Sequence, residues 1–132
     1  RLLSDFDKNS SAEENLQLLN DAFYRPEEVN DNVKATWLSW LEKYAQRLNV
    51  ENVSDTERKQ KMNSTNPKYV LRNYMAQLAI DKADEGDYSL LHELENLLKK
   101  PYDEQPDMHH WFVKRPDWAK NKIGCSQLSC SS

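Results

Sequence analysis

Apolar positions recur along most of this chain with the three-and-four spacing of amphipathic helices, and the breaks between them divide it into five helical segments. The first opens at Ser11, which with Glu14 makes a capping box, and places Leu16, Leu19, Ala22 and Phe23 on one side before Pro26, predicting a helix over 12–23. Residues 1–11 are polar apart from Leu2, Leu3 and Phe6, and are expected to be mostly irregular, with that apolar group docking on a neighbour. A longer helix is predicted over 31–48, where Val33, Trp37, Trp40, Leu41, Tyr44 and Leu48 form the strongest stripe in the chain. Ser54 and Glu57 repeat the capping-box pattern and open a short polar helix ending before Asn63.

The next segment is read as the centre of the fold. Asn66 is a good N-cap and Pro67 suits a first helical position, so a helix is predicted from Pro67 to about Asp84, with Val70, Leu71, Tyr74, Met75, Leu78 and Ala79 covering half of its surface. Arg72 projects inside that arc, so its guanidinium must reach water or a carboxylate, and Asp103 or Glu104 is the expected partner in a structural ion pair. Gly86 stops this helix and Asp87 caps a last one, whose stripe of Leu90, Leu91, Leu94, Leu97 and Leu98 ends at Lys99 and Lys100. The short link makes these two helices antiparallel neighbours.

Beyond Pro101 the helical register is lost. Pro101, Pro106 and Pro116 punctuate an extended stretch carrying Tyr102, Trp111, Phe112 and Trp118, aromatics that a solvated tail has no use for. The 101–132 region is therefore read as a strap laid over the helices, with one helical turn after Pro116 and a mobile tail from Gly124. The fold class is all-α: a single helical domain over 1–132, built of four to five helices and an extended C-terminal strap.

Composition sharpens this picture at three points. With only two glycines in 132 residues, strands, hairpins and glycine-rich phosphate loops are poorly provided for. A formal charge of −4 argues against nucleic acid as a partner, and the one basic cluster, Arg58, Lys59 and Lys61, reads as a solvated helix face. No apolar run approaches the roughly 20 residues of a bilayer span, so a soluble chain with no membrane partner is expected. The first residue is Arg1, not Met, which suggests an excised fragment, although processing would give the same result.

Candidate chemistry is sparse. His92, His109, His110, Cys125, Cys130, Asp103 and Glu104 include no Cys-x-x-Cys or His-x-x-x-His pair, so no metal site is predicted. No catalytic residue or cofactor site is assigned. Cys130, near the chain end, reads either as an inert exposed thiol or as an accessible exchange group. The Trp37 and Trp40 face, if unsatisfied within the chain, would suit a free-standing module that binds a partner helix or peptide.

Five blocks decide between these readings: Asn66-Pro67-Lys68-Tyr69-Val70-Leu71-Arg72-Asn73-Tyr74, Glu85-Gly86-Asp87-Tyr88, Pro101 to Pro106, Pro116-Asp117-Trp118 and Ser129-Cys130-Ser131-Ser132. In order and spacing they closely resemble the C-terminal part of the selenoprotein O family, whereas residues 1–65 carry no block that matches. The resemblance implies a parent protein of kinase-like fold that transfers AMP from ATP to protein hydroxyls, with ATP and Mg²⁺ bound by a missing N-terminal domain. It implies that this fragment is an inactive helical accessory domain packing on that domain. Cys130 would occupy the position where some members carry selenocysteine, which favours a redox role, with a disulfide partner left open. Its implied location is the cytoplasm of a bacterium, or the mitochondrion if the source is eukaryotic.

Overall fold

The computed structural model describes residues 1–51 and 53–125, and these form two compact units, Arg1–Asn66 and the residues from Pro67 onwards. Among the described residues there are five α-helices, several 3-10 segments and no strand, so the all-α expectation is met. Each unit has a buried hydrophobic cluster of its own.

Unit 1 begins with a 3-10 turn, Leu2–Asp5, and α1, Ala12–Gln17. The predicted capping box is present: Ser11 Oγ accepts from the Glu14 amide (3.2 Å) while the Glu14 carboxylate accepts from the Ser11 amide (2.9 Å). The helix is shorter than its pattern suggests, because Leu18 and Leu19 bond three residues back, to the Asn15 and Leu16 carbonyls. Asn20 and Asp21, whose short polar side chains compete for backbone groups, then sit in a 3-10 turn, Asn20–Ala22. Buried Asn15 is a hub the sequence did not reveal. Its amide donates to the Asp7 and Ser11 carbonyls and its oxygen accepts from the Asp7 amide, folding residues 7–11 onto α1.

After a turn at Pro26–Glu28, α2 spans Asp31–Val50, capped by Asn30, whose side chain accepts from the Val33 amide at 3.0 Å. The second capping box, Ser54 with Glu57, opens α3, Asp55–Thr65. This helix runs past Asn63, and Asn66 closes it by donating through its amide and side chain to the Met62 carbonyl. Phe6, Leu16, Leu19, Leu41 and Leu48 form the buried core of the unit.

In unit 2 the helix predicted from Pro67 begins only at Asn73: α4 is Asn73–Asp84 and residues 67–72 are non-helical, with a bend at Lys68. Asn66 precedes proline, which disfavours helical backbone there. The Lys68 and Tyr69 amides donate instead to the Pro101 carbonyl (2.7 and 3.1 Å), and the Tyr69 ring enters the core. Val70 and Leu71, expected on a buried face, are 57% and 51% exposed. Gly86, at φ +84°, ends α4: its amide donates to Ala83 and that of Asp87 to Lys82, the paired bonds of a Schellman cap. Helix α5, Ser89–Lys99, follows, with the Asp87 carboxylate accepting from the Ser89 amide at 2.9 Å.

The strap contains two 3-10 segments, Pro106–Trp111 and Asp117–Lys120, the second supplying the turn expected after Pro116. Gln105, in left-handed backbone, donates to the Leu97 and Lys100 carbonyls and so satisfies the open end of α5. Met108, Trp111 and Phe112 pack against a core of Tyr69, Tyr74, Met75, Ala79, Leu94, Leu97, Ala119 and Cys125.

Candidate functional site

The expected ion pair is replaced by a different set of contacts. Arg72 stands at the exposed N-cap of α4, where its Nη1 donates to the Val113 carbonyl at 3.3 Å. The Glu104 carboxylate is met instead by Lys68, whose ammonium lies 2.8 Å from it and 3.1 Å from the Glu104 carbonyl. The difference follows from the non-helical segment 67–72, which sets Lys68 beside Glu104 and Arg72 beside Val113, at different points of the strap. The Lys68 ammonium also sits 5.5 and 5.3 Å from the ring centroids of Tyr69 and Phe112. Tyr69 completes the clasp by sharing its hydroxyl between the Glu104 (2.8 Å) and Gln105 (3.0 Å) carbonyls.

The basic cluster on α3 is not a uniform solvated face. Arg58 is 8% exposed: Nη1 donates to the Leu3 carbonyl (3.0 Å), Nη2 to the Phe6 carbonyl, and Asp55 lies 3.3 Å away. Its neighbour Lys59 pairs with Asp5. The expected docking of Leu2, Leu3 and Phe6 is present, with Leu2–Asp5 wound into a 3-10 turn within the otherwise irregular 1–11 stretch.

On α2, Trp37 meets Phe23 edge-on (5.9 Å) and Trp40 edge-on (5.7 Å), while Trp40 stacks on Tyr44 (5.2 Å, 9° between planes). Tyr44 in turn meets Phe6. Trp37 and Tyr44 are therefore engaged by residues outside α2, whereas Trp40, 42% exposed, stacks along its own helix and Val33 is 39% exposed.

A third cluster lies where the strap returns to α4. Asp81 accepts from Gln77 at 2.7 Å through one oxygen and pairs with Lys122 through the other. The Lys122 contact, with the Gln77 bond behind it, holds the Asp81 carboxyl below its ordinary range. Gly124, at φ +84°, lies so close to α4 that a Cβ would stand 2.2 Å from Gln77 Oε1. Cys125, expected in a mobile tail, is a buried free thiol in the core of unit 2. Cys130 lies outside the described residues.

Among the described residues, no group of His, Cys, Asp and Glu side chains is arranged to hold a metal ion, and no helix is long and apolar enough to cross a membrane. Among the described residues neither glycine suits an ATP·Mg²⁺ cradle: Gly86 closes α4, and Gly124 is packed against Gln77.

Comparison with known proteins gives a consistent result. The family model described as "Protein adenylyltransferase SelO" matches residues 1–99. That span includes residues 1–65, where no matching block is evident by inspection. A protein nucleotidyltransferase YdiU from Flavobacterium johnsoniae is 58% identical over 132 residues, all of this chain and 25% of the relative. The corresponding protein from Rhodopirellula baltica is 46% identical over 120 residues (89% of this chain, 22% of the relative), and that from Methylobacillus flagellatus 47% over 122 residues (92% and 23%). The chain thus spans about a quarter of the length of the curated relatives it matches.

Proposed function

The chain belongs to the SelO family of protein adenylyltransferases, and on that premise we propose that it is the helical C-terminal accessory part of a longer enzyme transferring AMP from ATP to Ser, Thr or Tyr hydroxyls of proteins. The observation that carries this reading is the 58% identity to a nucleotidyltransferase over the whole chain. ATP and Mg²⁺ would be held by residues outside it, in a kinase-like domain on which these helical units pack, in a bacterial cytoplasm. The residues described here then supply scaffold, and the chain's own chemical contribution is the Cys130 thiol. Under mild oxidation Cys130 and a cysteine elsewhere in the full-length polypeptide would lose two electrons and two protons to a disulfide oxidant, and the bond formed would restrict access to the active site.

Labelled ATP tests both halves. The full-length protein should transfer AMP to protein, and the 132-residue chain alone should transfer none; transfer by the chain alone would overturn the accessory reading. Activity of Cys130→Ser should ignore mild oxidant, and an unchanged response would remove the redox role.

A further inference from the structure

Residues 70–73 form an exposed run between two buried side chains, Tyr69 and Tyr74. The clasp explains why the chain leaves helical geometry at Lys68 and Tyr69, whose amides reach the Pro101 carbonyl. It does not explain the next two residues. Val70 and Leu71 are both more than half exposed, and among the described residues neither their amides nor their carbonyls have a hydrogen-bond partner. Arg72 is extended, with φ −109° and ψ 151°, and bonded backbone resumes only where its carbonyl accepts from the Met75 and Ala76 amides.

From this combination we infer that Val70 and Leu71 form a docking strand for the remainder of the same polypeptide, which covers both side chains and bonds the backbone between them. The inference rests on the accessory role proposed for the chain and names the surface by which it is attached. The chain spans about a quarter of the length of its curated relatives, so a protein of their size holds roughly three quarters of its residues outside it. An occupant in the same polypeptide also has a higher effective concentration than any separate molecule.

A connector between the clasp and α4 needs only reach, which polar residues supply. A β-branched residue followed by leucine suits a half-buried strand instead. Consecutive side chains of a strand point to opposite faces, so an occupant that covers both Val70 and Leu71 lies alongside the segment and meets its backbone. The chemistry required of it is an apolar sheet edge or extended segment with N–H and C=O groups to spare. Tyr102, next to Pro101, and Val113, whose carbonyl accepts from Arg72, are 46% and 47% exposed and widen the apolar surface on the strap side. Ile80 and Leu91 are exposed too, but they stand on α4 and α5, where the helical backbone is already bonded. Those positions offer side chains alone; the 70–71 segment offers side chains and backbone together.

The test uses the full-length protein. A photo-crosslinking amino acid is placed at position 70, where the exposed side chain leaves the core of unit 2 untouched, and the linked peptide is mapped by mass. It should lie in the same molecule, outside these 132 residues. A link within the 132 residues, a link between two copies, or no link would each overturn the proposal. Hydrogen exchange on the unsubstituted protein needs no variant: the Val70 and Leu71 amides should exchange about tenfold to a hundredfold more slowly than unstructured chain. Exchange at the unstructured rate would overturn the docking. Val70→Ser combined with Leu71→Ser should speed exchange in the crosslinked peptide, and unchanged exchange there would count against it equally. AMP transfer from labelled ATP is read separately on the unsubstituted protein. Docking without transfer keeps this inference and removes the proposed activity, and transfer without docking does the reverse.

Discussion

Each unit holds a stretch of irregular chain against helices, and they do it differently. In unit 1 the turn at Leu2–Asp5 is held chiefly by one buried guanidinium, Arg58, whose two terminal nitrogens donate to the Leu3 and Phe6 carbonyls, with its Cζ 5.9 Å from the centre of the Phe6 ring. In unit 2 the strap is held at many points: two amides on the Pro101 carbonyl, the Tyr69 hydroxyl, the Lys68 ammonium, the Gln105 side chain on α5, and the Trp111 indole on Glu93 at 2.7 Å. A buried charge concentrates the hold in one side chain and leaves desolvated carbonyls if that side chain is lost, whereas neutral or partly exposed contacts can fail one at a time. The short segment in unit 1 has one polar anchor at its centre, aided by Lys59 on Asp5 and the buried Phe6 ring; the long strap spreads its attachment.

The largest expected effect follows from the concentrated hold. Arg58→Met should destabilise the chain by roughly 3–5 kcal/mol in urea unfolding, since it leaves two carbonyls without their donor and Asp55 without its partner. Arg58→Lys should recover less than half, because an ammonium cannot span both carbonyls. Hydrogen exchange at the Ser4 and Phe6 amides, both bonded within this turn, should rise first. Loss of under about 1 kcal/mol would place Arg58 among ordinary surface pairs.

The distributed hold predicts smaller steps. Tyr69→Phe removes one hydroxyl shared by two carbonyls and should cost about 1 kcal/mol. Lys68→Met should cost less again, below about 1 kcal/mol, because its partner Glu104 is largely exposed and the methionine retains the packing over Tyr69 and Phe112. A loss from Tyr69→Phe as large as that from Arg58→Met would mean that the strap also hangs from a single point.

Acid should separate the two units most gently. Glu57 in unit 1 is held below the ordinary carboxylate range by Ser54; in unit 2 the same holds for Asp81 through Lys122, Asp87 through Ser89 and Glu95 through Lys99. A carboxyl whose folded-state value is depressed stabilises the fold above its unfolded value, and that contribution is lost as pH falls through the folded value. The urea midpoint should therefore decline below about pH 4, and Asp81→Asn should make the decline shallower. Identical slopes for parent and variant would show that the Lys122 contact does not stabilise the fold.

How far the sequence carried depended on how local the deciding contact was. Both capping boxes and the Gly86 stop were legible because the partners lie within five residues of one another. The Pro67 helix was misread because its arc of apolar residues is genuine, but the acceptor that unwinds it, the Pro101 carbonyl, is supplied by the strap. Arg58 looked like one member of a charged face because the carbonyls it serves lie 52 and 55 residues earlier. The only local hint was apolar Leu2, Leu3 and Phe6, which needed something to dock on. The aromatics of the strap were legible by chemistry: Trp111 and Phe112 do pack on the core of unit 2, while Tyr102 and Trp118 remain substantially exposed.

The chain is proposed above to be a helical accessory part whose ATP site lies elsewhere in the full-length protein. Calorimetric titration of the 132-residue chain with ATP in the presence of Mg²⁺ addresses it most directly. The account predicts no binding heat beyond dilution; saturable binding in the micromolar range would contradict it.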